Sequence, residues 1–118
     1  MKNELPDLRA VLKQDGGFTF NIVQNNFIRE GFAVSIHKDH EVRIPGMAST
    51  RAMLEYASTK RRLLESIGFL GAWYNTDDEH TYLDVTMIVP DEQSAIELAK
   101  ANKQLAYFDF ATKEVKYV

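Results

Sequence analysis

Four polar side chains in the last third of the chain, Tyr82, Asp84, Tyr107 and Asp109, have the types and spacing to do chemistry together. Phenols and carboxylates on one surface suit recognition, because aromatic area supplies contact and an ionised acid accepts charge-assisted hydrogen bonds. Trp73 and Tyr74 precede them, the acidic turn Asp77-Asp78-Glu79 lies between, and Ser35, His37 and Arg43 join from an earlier segment. The same groups suit catalysis less well. Paired catalytic carboxylates need one protonated and one ionised member at a fixed separation. Asp84 and Asp109, with a strand expected between them, would stand roughly 10 Å apart, too far for strong mutual perturbation. No catalytic residue is assigned.

Other chemistry-bearing residues lead to weaker motifs. His37 and His40 flank a turn, and Asp39, Glu41 or His80 could supply a third metal ligand. There is no cysteine and no helical His-x-x-x-His to support such a site, so neither metal nor cofactor is expected. No Gly-x-Ser-x-Gly elbow occurs, and Gly16-Gly17 lacks the strand before and helix after that a phosphate loop requires. Lys60-Arg61-Arg62 with Arg51 is the one basic concentration. It reads as the solvated side of an amphipathic helix, the alternative being a grip on phosphate or an acidic partner. Asp77-Asp78-Glu79 reads as an exposed turn, or as a patch meeting an arginine-rich partner.

The elements that position these residues follow from periodicity. Leu5, Leu8, Val11 and Leu12 repeat at helical spacing after Pro6, and Gly16-Gly17 ends the helix. Phe18, Phe20 and Ile22 alternate as in a half-buried strand. Phe32, Val34 and Ile36, then a turn at Lys38-Asp39-His40, then Val42 and Ile44 predict a hairpin closed by Pro45-Gly46. Ser49 or Thr50 caps a long helix carrying Met53, Tyr56, Ala57, Lys60, Leu63, Leu64 and Ile67, with Gly68 at its end.

From Phe69 the spacing predicts strand, turn, strand, helix, strand. Phe69, Gly71 and Trp73 alternate with Leu70, Ala72 and Tyr74; Asn75 to Glu79 turn; Leu83, Val85 and Met87 alternate with Tyr82, Asp84 and Thr86. Pro90-Asp91-Glu92 opens a helix whose inner side includes Ala95, Ile96, Leu98 and Ala99. Leu105 to Phe110 returns as a strand and Val115 to Val118 as a last short one. With Leu83, Val85 and Met87 under the helices, Tyr82 and Asp84 face outward. The same logic sends Ala106, Phe108 and Phe110 inward and leaves Tyr107 and Asp109 beside Tyr82 and Asp84. A one-residue slip in register would reverse any of these assignments.

The fold class is α+β: a mainly antiparallel sheet with helices on one face, built on a ferredoxin-like split βαβ core with extra N-terminal strands. The 118 residues, 45% of them hydrophobic, fit one domain spanning 1–118. A net charge of −3 leaves no basic footprint, so direct nucleic-acid binding and attraction to anionic membranes are not expected. The first residues carry charge with no apolar run behind it, and no stretch approaches the roughly 20 apolar residues of a spanning helix. A cytoplasmic protein is expected.

Taken together, Gly16-Gly17-Phe18-Thr19, Gly31-Phe32-Ala33-Val34-Ser35, Gly71-Ala72-Trp73, Tyr82-Leu83-Asp84-Val85 and Gln104-Leu105-Ala106-Tyr107-Phe108-Asp109 resemble segments of small proteins of bacteriophages and bacterial mobile elements. These segments are strand cores and turns, so the resemblance implies a setting rather than an activity. In that setting it implies a non-enzymatic protein that binds a host protein or complex in the host cytoplasm, inhibition of a bacterial defence system included. Two other readings stay open from the residues: a small-ligand-binding or enzymatic domain using the same groups, and a self-associating module that pairs as a homodimer through its faces or edges.

Overall fold

The computed structural model describes residues 6–36 and 38–118. Asp7 caps α1 (Leu8–Asp15) by accepting from the Ala10 amide at 3.1 Å, and Gly16 ends it in the left-handed conformation at φ 79°, where glycine has no side chain to clash. Strands β1 (Gly17–Asn21) and β2 (Asn26–Phe27) follow as a short antiparallel pair. Next come β3 (Phe32–Ser35), a 3₁₀ turn over Lys38–His40, and β4 (Val42–Pro45). Helices α2 (Thr50–Thr59) and α3 (Arg61–Ser66) precede the hairpin of β5 (Phe69–Asn75) and β6 (His80–Val89). The chain ends with α4 (Glu92–Ala101), β7 (Ala106–Asp109) and β8 (Glu114–Tyr117).

The eight strands of the described residues join one sheet in the order β2-β1-β5-β6-β3-β7-β8, with β4 also on β6 and every pairing antiparallel. The protein is thus α+β, with its helices against one sheet face. Beneath β1, β5 and β6, Leu8 and Leu12 of α1, Met53, Tyr56 and Ala57 of α2 and Leu64 of α3 pack on Phe20, Leu70, Leu83 and Val85. A smaller cluster under β3 and β7 joins Ala95 and Ala99 of α4 to Val34 and Tyr107. Both clusters remove apolar surface from water, which stabilises the fold by roughly 25 cal/mol per Å² buried. None of the described helices is long and apolar enough to cross a membrane.

Three expectations change. Residues 32–45 are not a hairpin: β3 and β4 lie end to end along the same edge of β6, β3 opposite Thr86–Val89 and β4 opposite His80–Leu83. Long-range pairing to β6 outcompetes the local turn, and just past β3 the Ile36 amide still donates to the Val85 carbonyl of β6 at 2.9 Å. The long helix breaks at Lys60 (φ −105°, ψ 15°). The Thr59 hydroxyl donates back to the Tyr56 carbonyl at 2.7 Å, and the Lys60 amide is shared between the Tyr56 and Ala57 carbonyls, so the helical ladder is disturbed at that turn.

The third correction concerns β7. Ala33 pairs with Ile88 on one side and Phe108 on the other, and residues directly opposite share a face. Phe108 therefore lies on the Asp84 face, and Tyr107 and Asp109 lie on the helix side, 6% and 4% exposed. Polar partners under α4 make that register affordable: the Tyr107 hydroxyl donates to Glu92 Oε2 at 2.7 Å, and Lys116 Nζ lies 2.9 Å from Asp109 Oδ2. Truncating Tyr107 to alanine should cost about 3–5 kcal/mol in urea unfolding, and Phe108→Ala clearly less. The opposite ranking would place β7 in the other register.

Candidate functional site

Opposite the helices, the sheet curls into a groove of about 680 Å³ lined from β1, β3, β5, β6, β7 and β8. Its floor is small and polar. Gly71 on β5 pairs with Asp84 on β6, and Thr19 on β1 pairs with Gly71 in turn. Ser35 pairs with Thr86 across β3 and β6. The Ser35 hydroxyl donates to Asp84 Oδ2 at 2.6 Å and the Thr86 hydroxyl to Asp84 Oδ1 at 2.5 Å. Gly71 is required here by contact: a β-carbon at this position would collide with Asp84 Oδ1 and Thr86 Oγ1.

The walls are aromatic and apolar. Trp73 and Tyr82 pack as a tilted pair with centroids 5.3 Å apart, and the Arg43 guanidinium sits 4.8 Å from the Tyr82 ring centre while reaching Glu41 at 3.7 Å. On the other side Phe108 and Phe110 meet edge to face at 5.1 Å, and Leu105, Val115 and Tyr117 complete the wall. Trp73, Leu105 and Tyr117 are 49%, 74% and 78% exposed, an unusual concentration of apolar surface facing water.

Burial raises the Asp84 carboxyl above the ordinary carboxylate range, opposed by the hydrogen bonds from Ser35 and Thr86. On the helix side of the gap between β3 and β4, the Tyr56 hydroxyl donates to the His40 carbonyl. Burial raises the Tyr56 phenol too, with further contributions from the charges of Asp84 and Glu41. The Tyr82 hydroxyl donates to Asp78 Oδ2, and that carboxylate holds the phenol proton above its usual range, ahead of desolvation.

Of the residues expected to form a site, the structure brings together Trp73, Tyr82 and Asp84, joined by Ser35 and Arg43. Asp78 reaches this group through Tyr82, whereas Asp77 is an exposed turn residue whose amide donates to Asn75 Oδ1. Tyr74 packs on the helix-side cluster, because its position in β5 has the parity of Ala72 and Leu70. Tyr107 borders the groove, but its hydroxyl and the Asp109 carboxylate find their partners on the helix side, so Asp84 and Asp109 are separated by the sheet itself. His37 falls outside the described residues. Among those described, no three His, Asp or Glu side chains gather as metal ligands.

Sequence reasoning missed the far wall, Leu105, Phe108, Phe110, Val115 and Tyr117. One signal for it was present: Val115 and Tyr117 are two apart in a terminal strand and share a face with whichever residues of β7 they oppose. Gly71 within a strongly alternating strand was a second, marking close approach by a neighbour. Compared with family models, curated proteins and solved structures, the chain matches none.

Native Asp84 holds its proton more tightly than the unfolded chain does. Its contribution to stability therefore falls as pH rises from the ordinary carboxylate range through the raised native value, and is level above it. Asp84→Asn, which carries no charge, should be more stable than the native chain at neutral pH, with the difference closing as the pH drops through that window. Urea unfolding at stepped pH measures this; a difference that grows in acid would reverse the assignment. Gly71→Ala should lose about 1–3 kcal/mol by overpacking. Its near-ultraviolet dichroism should change as well, because Trp73 is two residues away on the same strand.

Proposed function

We propose that this is a non-catalytic binding protein of a bacteriophage or mobile element, and that its concave sheet face engages a host protein in the host cytoplasm, inhibition of a defence system being the form the resemblance implies. One observation carries the reading: the face opposite the helices is a groove whose rim exposes Trp73, Leu105 and Tyr117 to water. Aromatic and aliphatic side chains held on strands present large contact area at little cost in conformational freedom, and such residues dominate protein interfaces. The polar floor supplies directional contacts at the centre, where neighbouring apolar groups exclude water. The order β7-β3-β6-β5, linked through α2, α3 and α4, supports reading these strands as a ferredoxin-like split βαβ core to which β1, β2, β4 and β8 are additions.

A second reading, a small-ligand-binding domain, is favoured by the half-buried carboxylate in a concave site. A groove of about 680 Å³ lies within the usual ligand-pocket range of about 300–1,000 Å³. Native mass spectrometry of protein purified from its host separates the two, since a retained small ligand would add its mass.

Affinity capture from host lysate tests the leading reading directly. Tagged native protein should retain a host protein that Trp73→Ala with Tyr117→Ala releases, and that Arg51→Ala with Arg62→Ala, on the helix side, keeps. Retention undiminished by the groove variant, or loss with the helix variant, would move the interaction off this face.

A further inference from the structure

Two half-buried or buried carboxylates occupy opposite faces of the same sheet, and the chain treats them differently. Asp109, under α4, has Lys116 Nζ at 2.9 Å from Oδ2, and the same lysine reaches Glu92 at 3.1 Å. Asp84, in the groove, has hydroxyls for partners. Among the described residues no lysine, arginine or histidine pairs with it: Arg43, one register step away on β4, sits over Tyr82 and pairs with Glu41. An ionised carboxylate offers about four lone-pair sites, and Ser35 and Thr86 use one on each oxygen. Carboxylates withdrawn from water are ordinarily neutralised by a paired cation, as Asp109 is. The other charged residues lining the groove are Asp15, Lys113 and Glu41, the last paired with Arg43 at 3.7 Å, so Asp84 is the carboxylate held at its floor without a cation.

We infer that the groove takes an arginine or lysine side chain, carried between apolar residues on an extended segment of the partner protein, with Asp84 as its counter-charge. The walls match such a segment. Trp73 and Tyr82 stand on one side of the carboxylate and Leu105, Val115 and Tyr117 on the other, so apolar residues flanking the cation meet apolar wall in both directions. Gly71 leaves the space above it to the Asp84 carboxylate and Thr86, so a long side chain descending between the walls meets that carboxylate at the floor. The seat of Arg43 over Tyr82 already demonstrates within the chain that this rim accepts a guanidinium on an aromatic face. The inference rests on the groove being the binding surface and names what it binds.

Trp73 is the only tryptophan in the chain, so intrinsic fluorescence reads occupancy of this groove. The probes are short peptides of leucine and valine with a central arginine, lysine, glutamine or glutamate, together with free arginine amide. The arginine and lysine peptides should bind saturably, the glutamine and glutamate peptides about tenfold or more weakly, and arginine amide more weakly than its peptide. Asp84→Asn should erase the preference for arginine over glutamine, whereas Glu97→Gln on α4 should leave it intact. Equal binding of arginine and glutamine peptides, or a preference surviving in Asp84→Asn, would overturn the cation inference while leaving the groove as a binding surface. Arginine amide binding as tightly as the peptide would overturn the assignment to a protein segment. Binding by no peptide would remove the groove reading and the inference together.

Discussion

Strand β6 is bonded along both edges, to β5 on one side and to β3 and β4 in succession on the other, and its period-two alternation propagates outward from there. Once Leu83 and Val85 are sealed under the helices at 0% exposure, Tyr82, Asp84 and Thr86 have only the other face available. Direct opposition then fixes Gly71 and Trp73 on β5, Ser35 and Ala33 on β3, and Phe108 on β7. The groove is therefore a consequence of the same register that builds the core. A slip of β6 by one residue would bury the Asp84 carboxylate among leucines and expose the core together, which is why the two faces cannot vary independently.

That coupling explains what could be read from residues alone. The β5–β6 hairpin was legible because both strands alternate cleanly around a polar turn, the end of α1 because Gly16-Gly17 follows its apolar repeat, and the opening of α4 because Pro90-Asp91-Glu92 precedes one. The faces of β7 were not. Ala106, Phe108 and Phe110 look like a core stripe, and nothing local says that Tyr107 will find Glu92 fifteen positions earlier in the sequence or that Asp109 will find Lys116. Period two gives the alternation but not its sign; here satisfied polar groups under α4 decided the sign. The end-to-end placement of β3 and β4 was illegible for a related reason. The turn residues Lys38 to His40 suit a hairpin, and only the length of β6 offers the two strands a common edge.

The treatment of polar groups differs between the two faces in a way that bears on function. On the helix side Thr81, fully buried, accepts from the Ala48 amide at 2.9 Å and donates to the Gly46 carbonyl at 2.7 Å, tying the loop after β4 to the sheet. Tyr107, Glu92, Lys116 and Asp109 form a closed network there. In the groove the polar groups converge on Asp84 without neutralising it, and burial disfavours its charged form. A chain selected for stability alone has little reason to keep a charge in that position, whereas a recognition site commonly retains such local costs.

The edges of the sheet point to the same face. An unpaired strand edge is the usual route to self-association, yet β2 is only two residues long and β8 only four. Lys113, in the turn that joins β7 to β8, adopts a left-handed backbone at φ 59° and closes the hairpin tightly. The apolar side chains of β8 belong instead to the groove, since Val115 opposes Phe108 and Tyr117 opposes Ala106 on that face. Trp73, Leu105, Val115 and Tyr117 thus expose apolar surface together where the sheet is concave, whereas Val23, Val42 and Ile67 are exposed outside the groove. A partner inserted into the concavity contacts both walls and the carboxylate between them; one added to either edge would leave that surface largely wet. Concavity, exposed aromatics and an unneutralised acid coincide only within the face that β6 organises.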